Sequence, residues 1–336
     1  KEVRRRKSGD RAREAIAGSK LPVMFPPEMD DATVARLAKA TFTLFAVRYG
    51  LKFLSFVYKL FFRPGMNLKK KYGGWAIVTG CTDGIGKAFC EELAKKGVPL
   101  LLISRTESKL EALASELEDK TEVKYLAVDF SNATKAKWAE VQKTIEALDV
   151  GMLFNNVGVS YPHAQYLHEL DDETVRQLIT VNVDCTTKMT KFVLPGMVSR
   201  RGGAIINIGS GAATVLPSDP LYSVYAGTKG YVDQFSKSLS VEYAKYNIDV
   251  QVQAPLFVVS KMSKIRRASI TVPTPRAYAR AGLASIGHEV RVSPFWTHTI
   301  IWAIIASMPV ALMDGIRIGM TTKIRKRALA KKNKKK

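Results

Sequence analysis

The sequence predicts an α/β fold, a doubly wound parallel sheet with helices on both faces. Two observations carry this prediction. Between residues 75 and 255, six short apolar runs alternate with amphipathic segments of helical length, and a glycine-rich turn joins the first run to the first helical segment. Apolar strands that alternate with helices are typical of a parallel sheet buried on both sides.

Each apolar run has the length of a strand, and each segment between two runs has the length of a helix. The predicted strands are WAIVTG (75–80), PLLLISR (99–105), KYLAVDF (124–130), GMLFNN (151–156), AIINIGS (204–210) and IDVQVQAP (248–255). The predicted helices lie at 85–96, 107–118, 134–147, 172–198 and 223–245.

An N-terminal extension precedes the sheet. Residues 1–39 form a basic, proline-containing leader, and residues 40–62 are apolar and aromatic over the roughly 20 residues that a membrane helix needs. Arg48, Lys52 and Lys59 interrupt this segment, at a cost of about 2.5–3.5 kcal/mol each near a bilayer centre. We therefore predict an N-terminal membrane-associated helix that either spans the bilayer or lies in its interface, with a soluble packed helix as the alternative.

A C-terminal apolar extension with a basic tail follows the sheet, at residues 291–336. Its apolar part, 295–313, fits a second membrane-contacting element, a lid on a substrate pocket or a buried helix. Pro309 and His298 disfavour a simple membrane span.

The composition is that of a globular protein with an unusual charge. Its 336 residues are 46% apolar, and 52 Lys and Arg against 30 Asp and Glu give a net charge of +22. Such an excess suits nucleic acid, an anionic membrane or a nucleotide-like ligand. The charge crowds at both chain ends and no nucleic-acid motif is present, so we expect no nucleic-acid partner. Three cysteines and four histidines show no ligand spacing, so we expect a reducing compartment and no metal.

The glycine-rich turn predicts a phosphate-binding site. It closes the first strand and opens the first helix, where glycines permit a tight turn and a close approach of the backbone to a pyrophosphate. The helix N-terminus adds free N–H groups and a positive dipole end. The turn residues expected to bind a dinucleotide are Gly80, Thr82, Asp83, Gly84, Ile85 and Gly86.

The end of the second strand indicates which dinucleotide binds. A site for NAD usually places an acidic residue there, whereas this chain has Arg105, with Lys109 nearby. A guanidinium suits the 2′-phosphate of NADPH. We therefore predict NADPH as the cofactor, with a merely solvated Arg105 as the alternative.

A tyrosine and a lysine on one predicted helix indicate proton transfer. Tyr225 and Lys229 are spaced i, i+4 and so share a helix face. A cation beside the phenol lowers its pKa from about 10 and lets it protonate an alkoxide. Ser210 ends the fifth strand on the same rim and is a candidate to hold a substrate carbonyl, and Asn182 is a candidate to bind a water that links Lys229 to solvent.

These motifs together resemble the short-chain dehydrogenase/reductase family over about residues 74–260. The resemblance implies a Rossmann-like fold, an NADPH-binding catalytic domain at 72–290 and a catalytic tetrad of Asn182, Ser210, Tyr225 and Lys229. It further implies cofactor contacts from Asp129, Asn155, Asn156, Val157, Gly158, Tyr225, Lys229 and Pro255, beside the glycine turn and Arg105. Two departures are the NNVG motif in place of NNAG and Leu256 in place of the usual glycine after Pro255.

A narrower resemblance is to the plant-type very-long-chain 3-oxoacyl-CoA reductases of fatty acid elongation, carried by TGCTDGIGKAF, GSGAATVLPSDPLYSVYAGTK and SKMSKIRRAS. It implies NADPH-dependent reduction of a long-chain 3-oxoacyl-CoA to a 3-hydroxyacyl-CoA, with Tyr225 as proton donor. It also implies an endoplasmic reticulum membrane location with the catalytic domain facing the cytosol, and other elongase components as partners. The ending Lys332-Asn333-Lys334-Lys335-Lys336 fits a dilysine retrieval pattern.

Other readings stay open at this point. A 17β-hydroxysteroid dehydrogenase-type or other hydrophobic ketone reductase would carry the same motifs, and a non-catalytic lipid-binding scaffold would keep the same fold. A basic cluster after the sixth strand, formed by Lys261, Lys264, Arg266 and Arg267, suits the phosphates of coenzyme A, lipid headgroups or water alone.

Overall fold

The computed structural model describes residues 30–334 and separates into two units, Lys1–Arg63 and Pro64–Lys336. The described part of the first unit is one helix, α1 (Asp31–Val57), whose end continues as a π-helix. Its 32 helical residues are long and apolar enough to cross a membrane, and none of its side chains is buried.

Helix α1 begins at Asp31 rather than at the predicted residue 40. The Asp30 side chain accepts a hydrogen bond from the Thr33 N–H at 3.0 Å, which satisfies a donor of the first turn. This cap explains the early start, which apolar composition alone does not predict. Residues 1–29 of the predicted leader lie outside the described residues.

The second unit contains a seven-stranded, wholly parallel sheet, which confirms the predicted fold class. The strands are β1 (Trp75–Thr79), β2 (Leu100–Ser104), β3 (Val123–Ala127), β4 (Val150–Asn155), β5 (Gly203–Ile208), β6 (Ile248–Gln253) and β7 (Arg291–Val292). Their order is β3-β2-β1-β4-β5-β6-β7. Strand β7 pairs with β6 beyond the predicted domain end at residue 290, so that boundary falls too early.

Helices cover the sheet on both faces. They are α2 (Leu68–Tyr72), α3 (Gly84–Ala94), α4 (Glu107–Leu117), α5 (Lys135–Glu146), α6 (Asp172–Ile179), α7 (Cys185–Arg200), α8 (Gly211–Thr214), α9 (Ser223–Tyr243) and α10 (Pro275–Ser285). One buried core contains Phe89 of α3 and Tyr278 of α10, and the other contains Val141 of α5 and Met189 of α7. The side chains of the strands point alternately into these two cores, and most of them are apolar, with Asn155, Asn207, Gln251 and Gln253 among the buried polar exceptions.

The C-terminal extension forms two helices, α11 (Trp296–Ala306) and α12 (Val310–Asn333), separated at Pro309. Helix α11 begins with the buried Thr297 and His298, and its remaining side chains are partly or fully exposed. The region predicted as an apolar segment and basic tail is thus largely helical and belongs to the same compact unit as the sheet. The predicted retrieval pattern extends past residue 334, outside the described residues.

The strand order reverses beside β1, since β2 lies on one side of it and β4 on the other. A crevice forms at such a point outside the carboxyl ends of the strands, and ligands of open α/β sheets bind there. The predicted site residues lie at or after the carboxyl ends of strands, or on the helical segments next to them.

Candidate active site

The glycine turn after β1 has the backbone that its sequence predicts. Gly80 and Gly84 have φ angles of 62° and 55°, in the left-handed region that glycine adopts without strain. At Gly86 a Cβ atom would lie 2.4 Å from both the Gly80 carbonyl oxygen and Asn156 Nδ2. Glycine at 86 therefore permits tight packing of α3 on the turn.

Helix α3 opens toward the crevice. Asp83 caps it by accepting a hydrogen bond from the Gly84 N–H at 2.8 Å, and its carboxylate lies 3.2 Å from Lys261 Nζ. Thr82 Oγ1 lies 3.0 Å from Ser104 Oγ, which fixes the turn to the end of β2. An 11-residue helix that begins here directs first-turn N–H groups and a positive dipole end at the crevice, which suits a pyrophosphate.

Thr79 organises the loop after β4, a role that the sequence did not reveal. Its hydroxyl donates to the Phe154 carbonyl at 3.2 Å and accepts from the N–H groups of Asn156 and Val157 at 3.0 and 3.1 Å. Asn156 Nδ2 in turn donates to the Thr79 and Gly80 carbonyls, both at 3.0 Å. The asparagine side chain thus holds the glycine turn in place.

Asn155 lies behind the site rather than in it. Its Nδ2 donates to Thr190 Oγ1 at 3.0 Å and to Asn207 Oδ1 at 2.8 Å, and the residue is buried. A buried amide requires partners of this kind. Asn155 therefore joins β4 to β5 and α7, and it does not line the cleft described below.

The three residues predicted for proton transfer come together. Lys229 is buried, and its Nζ donates to the Ile208 carbonyl at 2.8 Å at the end of β5. Burial lowers the pKa of Lys229 to about 8. Burial raises the pKa of Tyr225 while a hydrogen bond with Ser210 opposes that rise. Ser210 also caps α8 by accepting from the Ala212 N–H at 3.2 Å.

Asn182 lies in a π-helical turn between α6 and α7, a feature often found at functional sites. Its Nδ2 donates to the Val159 carbonyl and to Thr228 Oγ1, both at 3.0 Å, and its Oδ1 accepts from the Val159 N–H at 2.9 Å. Both amide hydrogens are therefore used within the protein. A Cβ at Gly158 would lie 3.3 Å from Asn182 Oδ1 and 3.4 Å from Lys229 Nζ, so the loop passes directly over both side chains.

The remaining predicted cofactor contacts lie at the strand ends. Arg105 is exposed after β2 and makes no hydrogen bond or ion pair within residues 30–334. Asp129, after β3, accepts hydrogen bonds from the Ser131 N–H at 3.1 Å and from Asn132 Nδ2 at 3.3 Å. Pro255, after β6, accepts one from the Gly211 N–H at 2.8 Å.

A cleft of about 750 Å³ connects these groups. The predicted residues in its wall are Gly80, Asp83, Gly84, Ile85, Asn156, Val157, Gly158, Ser210, Tyr225, Lys229 and Pro255. Those outside its wall are Thr82, Gly86, Arg105, Asp129, Asn155 and Asn182. Of the predicted basic cluster, Lys261 and Lys264 line the cleft, whereas Arg266 and Arg267 do not.

The cleft also has walls that the sequence did not predict. Helix α12 contributes Arg317, Ile324, Arg327, Ala328 and Lys331. Apolar side chains from other segments, such as Leu216, Phe257 and Met262, line it as well. The cleft therefore joins a phosphate-binding turn, a tyrosine with a buried lysine, and an apolar compartment with a basic side.

Several known proteins are similar to most of this chain. A profile of the family described as short chain dehydrogenase matches residues 74–270. The chain is 44% identical over 266 residues to a very-long-chain 3-oxoacyl-CoA reductase-like protein of Arabidopsis thaliana, covering 78% of this chain and 85% of the relative. It is 38% identical over 266 residues to the very-long-chain 3-oxoacyl-CoA reductase of Homo sapiens, covering 78% and 84%.

A third relative is named as inactive. The inactive hydroxysteroid dehydrogenase-like protein 1 of Homo sapiens is 37% identical over 278 residues, covering 81% of this chain and 83% of the relative. Similarity at this level is therefore shared by proteins named as reductases and by one named as inactive. The side chains of the site must decide between these cases.

Solved structures share the fold. A 7β-hydroxysteroid dehydrogenase superposes with a TM-score of 0.66 at 23% identity, over 75% of this chain and 99% of that chain. A short-chain dehydrogenase from Sphingobium yanoikuyae in complex with NADPH has a TM-score of 0.58 at 25% identity, over 70% and 96%.

Proposed function

Because the chain belongs to the short-chain dehydrogenase family, we propose that it reduces the keto group of a very-long-chain 3-oxoacyl-CoA to a 3-hydroxyacyl-CoA with NADPH. The observation that carries the proposal is the meeting of Ser210, Tyr225 and Lys229 in one cleft with the glycine turn. A phosphate-binding turn beside a proton donor is the arrangement that reduction of a carbonyl requires.

The side chains of the site have separate roles at the substrate carbonyl. The Ser210 hydroxyl donates a hydrogen bond to the carbonyl oxygen, and Tyr225 transfers its phenolic proton to the same oxygen. The raised pKa of Tyr225 keeps that proton in place at neutral pH. The nearby Lys229 ammonium stabilises the phenolate that remains. We assign Asn182 a positioning role, because it holds Val159 and Thr228 around this group.

The residues around the turn fit a nicotinamide dinucleotide. The open first turn of α3, the glycine backbone and the tight packing at Gly86 leave room for a pyrophosphate. Arg105 is exposed and has no protein partner within residues 30–334, so its guanidinium is free for a 2′-phosphate. When bound, NADPH supplies the hydride.

The substrate assignment rests on the cleft and on the relatives together. Two relatives are named for very-long-chain 3-oxoacyl-CoA, and the cleft offers an apolar lining for an acyl chain with a basic side for a polyanion. We further propose that α1 anchors the chain in the endoplasmic reticulum membrane, with the catalytic domain on the cytosolic side. There it would work with other components of fatty acid elongation.

The experiment that tests this function measures NADPH oxidation by the detergent-solubilised protein. A long-chain 3-oxoacyl-CoA is compared with a ketosteroid of similar hydrophobicity. Turnover of the acyl-CoA alone supports the proposal, and turnover of the steroid alone would replace the substrate assignment. Cofactor binding without turnover of either ketone would favour a non-catalytic scaffold.

A further inference from the structure

Helix α12 presents one defined face to the cleft. Its lining residues at 317, 324, 328 and 331 are separated by seven, four and three positions, which places them along one side of a helix. Arg327 lies beside this row and also lines the cleft. The C-terminal end of this face is therefore strongly basic, while its middle is apolar at Ile324 and Ala328.

Most acidic charge in the cleft is already neutralised. Among the described residues, two carboxylates and six cationic side chains line it. Asp83 pairs with Lys261 at 3.2 Å, and Asp219 pairs with Arg317 at 2.6 Å. Arg327 has no ion-pair or hydrogen-bond partner within residues 30–334, and the same holds for Lys331. These two cations are free to meet a ligand.

Lys264 extends the same basic region from the opposite wall. Its Nζ donates to the Pro162 carbonyl, which places the ammonium beside His163. Burial lowers the pKa of His163, and the charges of Lys264, Lys332 and Arg325 lower it further. His163 thus lies between Lys264 and the end of α12, in a local field that is already positive. Lys261, in contrast, lies at the glycine turn with Asp83 and so belongs to the cofactor end.

Helix α12 is long enough to separate its basic C-terminal end from the reactive residues of the site. Arg317 pairs with Asp219, whose charge acts on Tyr225, so Arg317 marks the reactive end of the helix. At 1.5 Å per residue, Arg327 lies about 15 Å and Lys331 about 21 Å further along the helix axis. A ligand that joins these two ends needs a reactive carbonyl, a long flexible arm and a phosphorylated head.

We propose that Arg327 and Lys331, together with Lys264, form the binding site for the phosphate groups of the coenzyme A moiety. This inference rests on the proposed function and adds the location at which the thioester carrier is recognised. The pantetheine arm then lies along the Ile324 and Ala328 side of α12, and the 3-keto group, two carbons beyond the thioester carbonyl, reaches Tyr225. Arginine and lysine side chains at the cleft mouth bind phosphates by charge-assisted hydrogen bonds.

The test compares two thioesters of the same 3-oxoacyl chain, one on coenzyme A and one on N-acetylcysteamine, which has no phosphate. In Arg327→Glu/Lys331→Glu, KM for the coenzyme A thioester should rise about tenfold or more with kcat nearly unchanged. KM for the N-acetylcysteamine thioester and KM for NADPH should stay as in the wild type. The neutral pair Arg327→Gln/Lys331→Gln should give a smaller rise.

Lys323→Glu/Lys326→Glu is the matched control, because both lysines are exposed on α12, lie outside the cleft wall and undergo the same change of charge. This control should leave KM for the coenzyme A thioester near the wild-type value. An equal rise in the control, an unchanged KM in the Arg327/Lys331 variant, or a rise in KM for NADPH instead would each overturn the proposal. Failure of the wild type to reduce either thioester would show that the proposed function itself is wrong.

Discussion

Arg317 and Asp219 form a buried ion pair in which Nε and Nη2 of the guanidinium both lie 2.6 Å from Oδ1 of the carboxylate. The two side chains are 11% and 3% exposed. Burial raises the pKa of Asp219, and Arg317 opposes that rise. The pair fastens α12 to the segment before α9, and the charge of Asp219 raises the pKa of Tyr225. The C-terminal helix is thereby coupled to the proposed proton donor.

Removal of one partner of this pair should be costly. In Arg317→Gln the carboxylate of Asp219 remains buried without its cation, so we expect the free energy of unfolding to fall by about 3–5 kcal/mol. The double variant Asp219→Asn/Arg317→Gln should recover part of that loss, because no charge is left unpaired. Chemical unfolding of the single and double variants measures the coupling. Strictly additive losses would show that the pair has no interaction of its own.

Tyr225→Phe should abolish reduction and leave the binding of NADPH intact. The change removes only the phenolic oxygen, which carries the proton for the substrate carbonyl. We expect kcat to fall by about 10²-fold or more, with the dissociation constant for NADPH, measured by fluorescence, within about twofold of wild type.

Tyr222→Phe is the matched control for Tyr225→Phe. Tyr222 also lines the cleft, but it is not the residue that hydrogen-bonds Ser210 in the reactive group. Its variant should retain most of kcat. Comparable kcat in Tyr225→Phe and the wild type would disprove the role of Tyr225.

Arg105→Asp should reverse the preference between the two nicotinamide cofactors. A carboxylate repels the 2′-phosphate of NADPH but accepts a hydrogen bond from the ribose hydroxyl of NADH. KM for NADPH should therefore rise about tenfold or more while KM for NADH stays level or falls. Lys96→Asp applies the same charge change to an exposed residue after the C-terminal end of α3, and it should alter neither constant. Equal effects of the two substitutions would show that Arg105 acts only through the net charge of the protein and not through contact with the 2′-phosphate.

The sheet could be predicted from the sequence because buried strands show a local pattern of apolar residues. Strands β1, β2, β4 and β5 are nearly continuous apolar runs, whereas β3 contains the exposed Lys124 and β6 alternates apolar with polar residues. Glycine was required where φ is positive, as at Gly80 and Gly84. Strand β7 has only two residues, Arg291 and Val292, and neither is fully buried. Such a strand depends on its neighbour β6 and has no pattern of its own.

The site was predictable only where its residues lie near strand ends. Ser210, Tyr225 and Lys229 are close in sequence, and all three line one cleft. The partnership of Arg317 and Asp219, in contrast, joins residues 98 positions apart, so no local pattern could show it. The C-terminal lysines and arginines were predicted only as a basic tail, because charge alone does not show which side of a helix meets the cleft.

The rate of reduction should fall above about pH 8. Burial lowers the pKa of Lys229 to about 8, so its ammonium is present below that pH and is lost above it. Without the cation, the phenolate of Tyr225 is less stable and proton transfer is slower. We expect kcat/KM for the ketone to be level at lower pH and to decline above about 8.

Lys229→Arg tests the origin of this decline. A guanidinium stays charged over the whole pH range of the experiment. The variant should therefore be slower than the wild type, but its activity should not decline as the pH rises past 8. NADPH affinity measured at each pH separates cofactor release from loss of the ammonium. A decline of the same position and size in Lys229→Arg would assign it to a different group.

Glu92 of α3 pairs with three cations, of which Arg276 and Arg280 belong to α10 and join the two helices. Its carboxylate lies 2.5 Å from Lys95, 2.9 Å from Arg276 and 3.1 Å from Arg280. Burial raises the pKa of Glu92, but the hydrogen bonds from these cations outweigh burial and lower the pKa to about 2. A shift from 4.5 to about 2 corresponds to about 3 kcal/mol, which solvent screening at the half-exposed arginines reduces to about 1–2 kcal/mol.

Glu92→Gln should therefore lower the free energy of unfolding by about 1–2 kcal/mol at neutral pH. A depressed carboxyl pKa stabilises the fold above the unfolded pKa of about 4.5, and this stabilisation is lost as the pH falls toward about 2. The difference between wild type and Glu92→Gln should accordingly shrink across that window in urea titrations. Glu118→Gln removes an exposed carboxylate outside any ion pair among the described residues, so its unfolding should follow that of the wild type at every pH. A pH-independent difference for Glu92→Gln would mean that packing of the side chain, rather than its charge, holds α3 against α10.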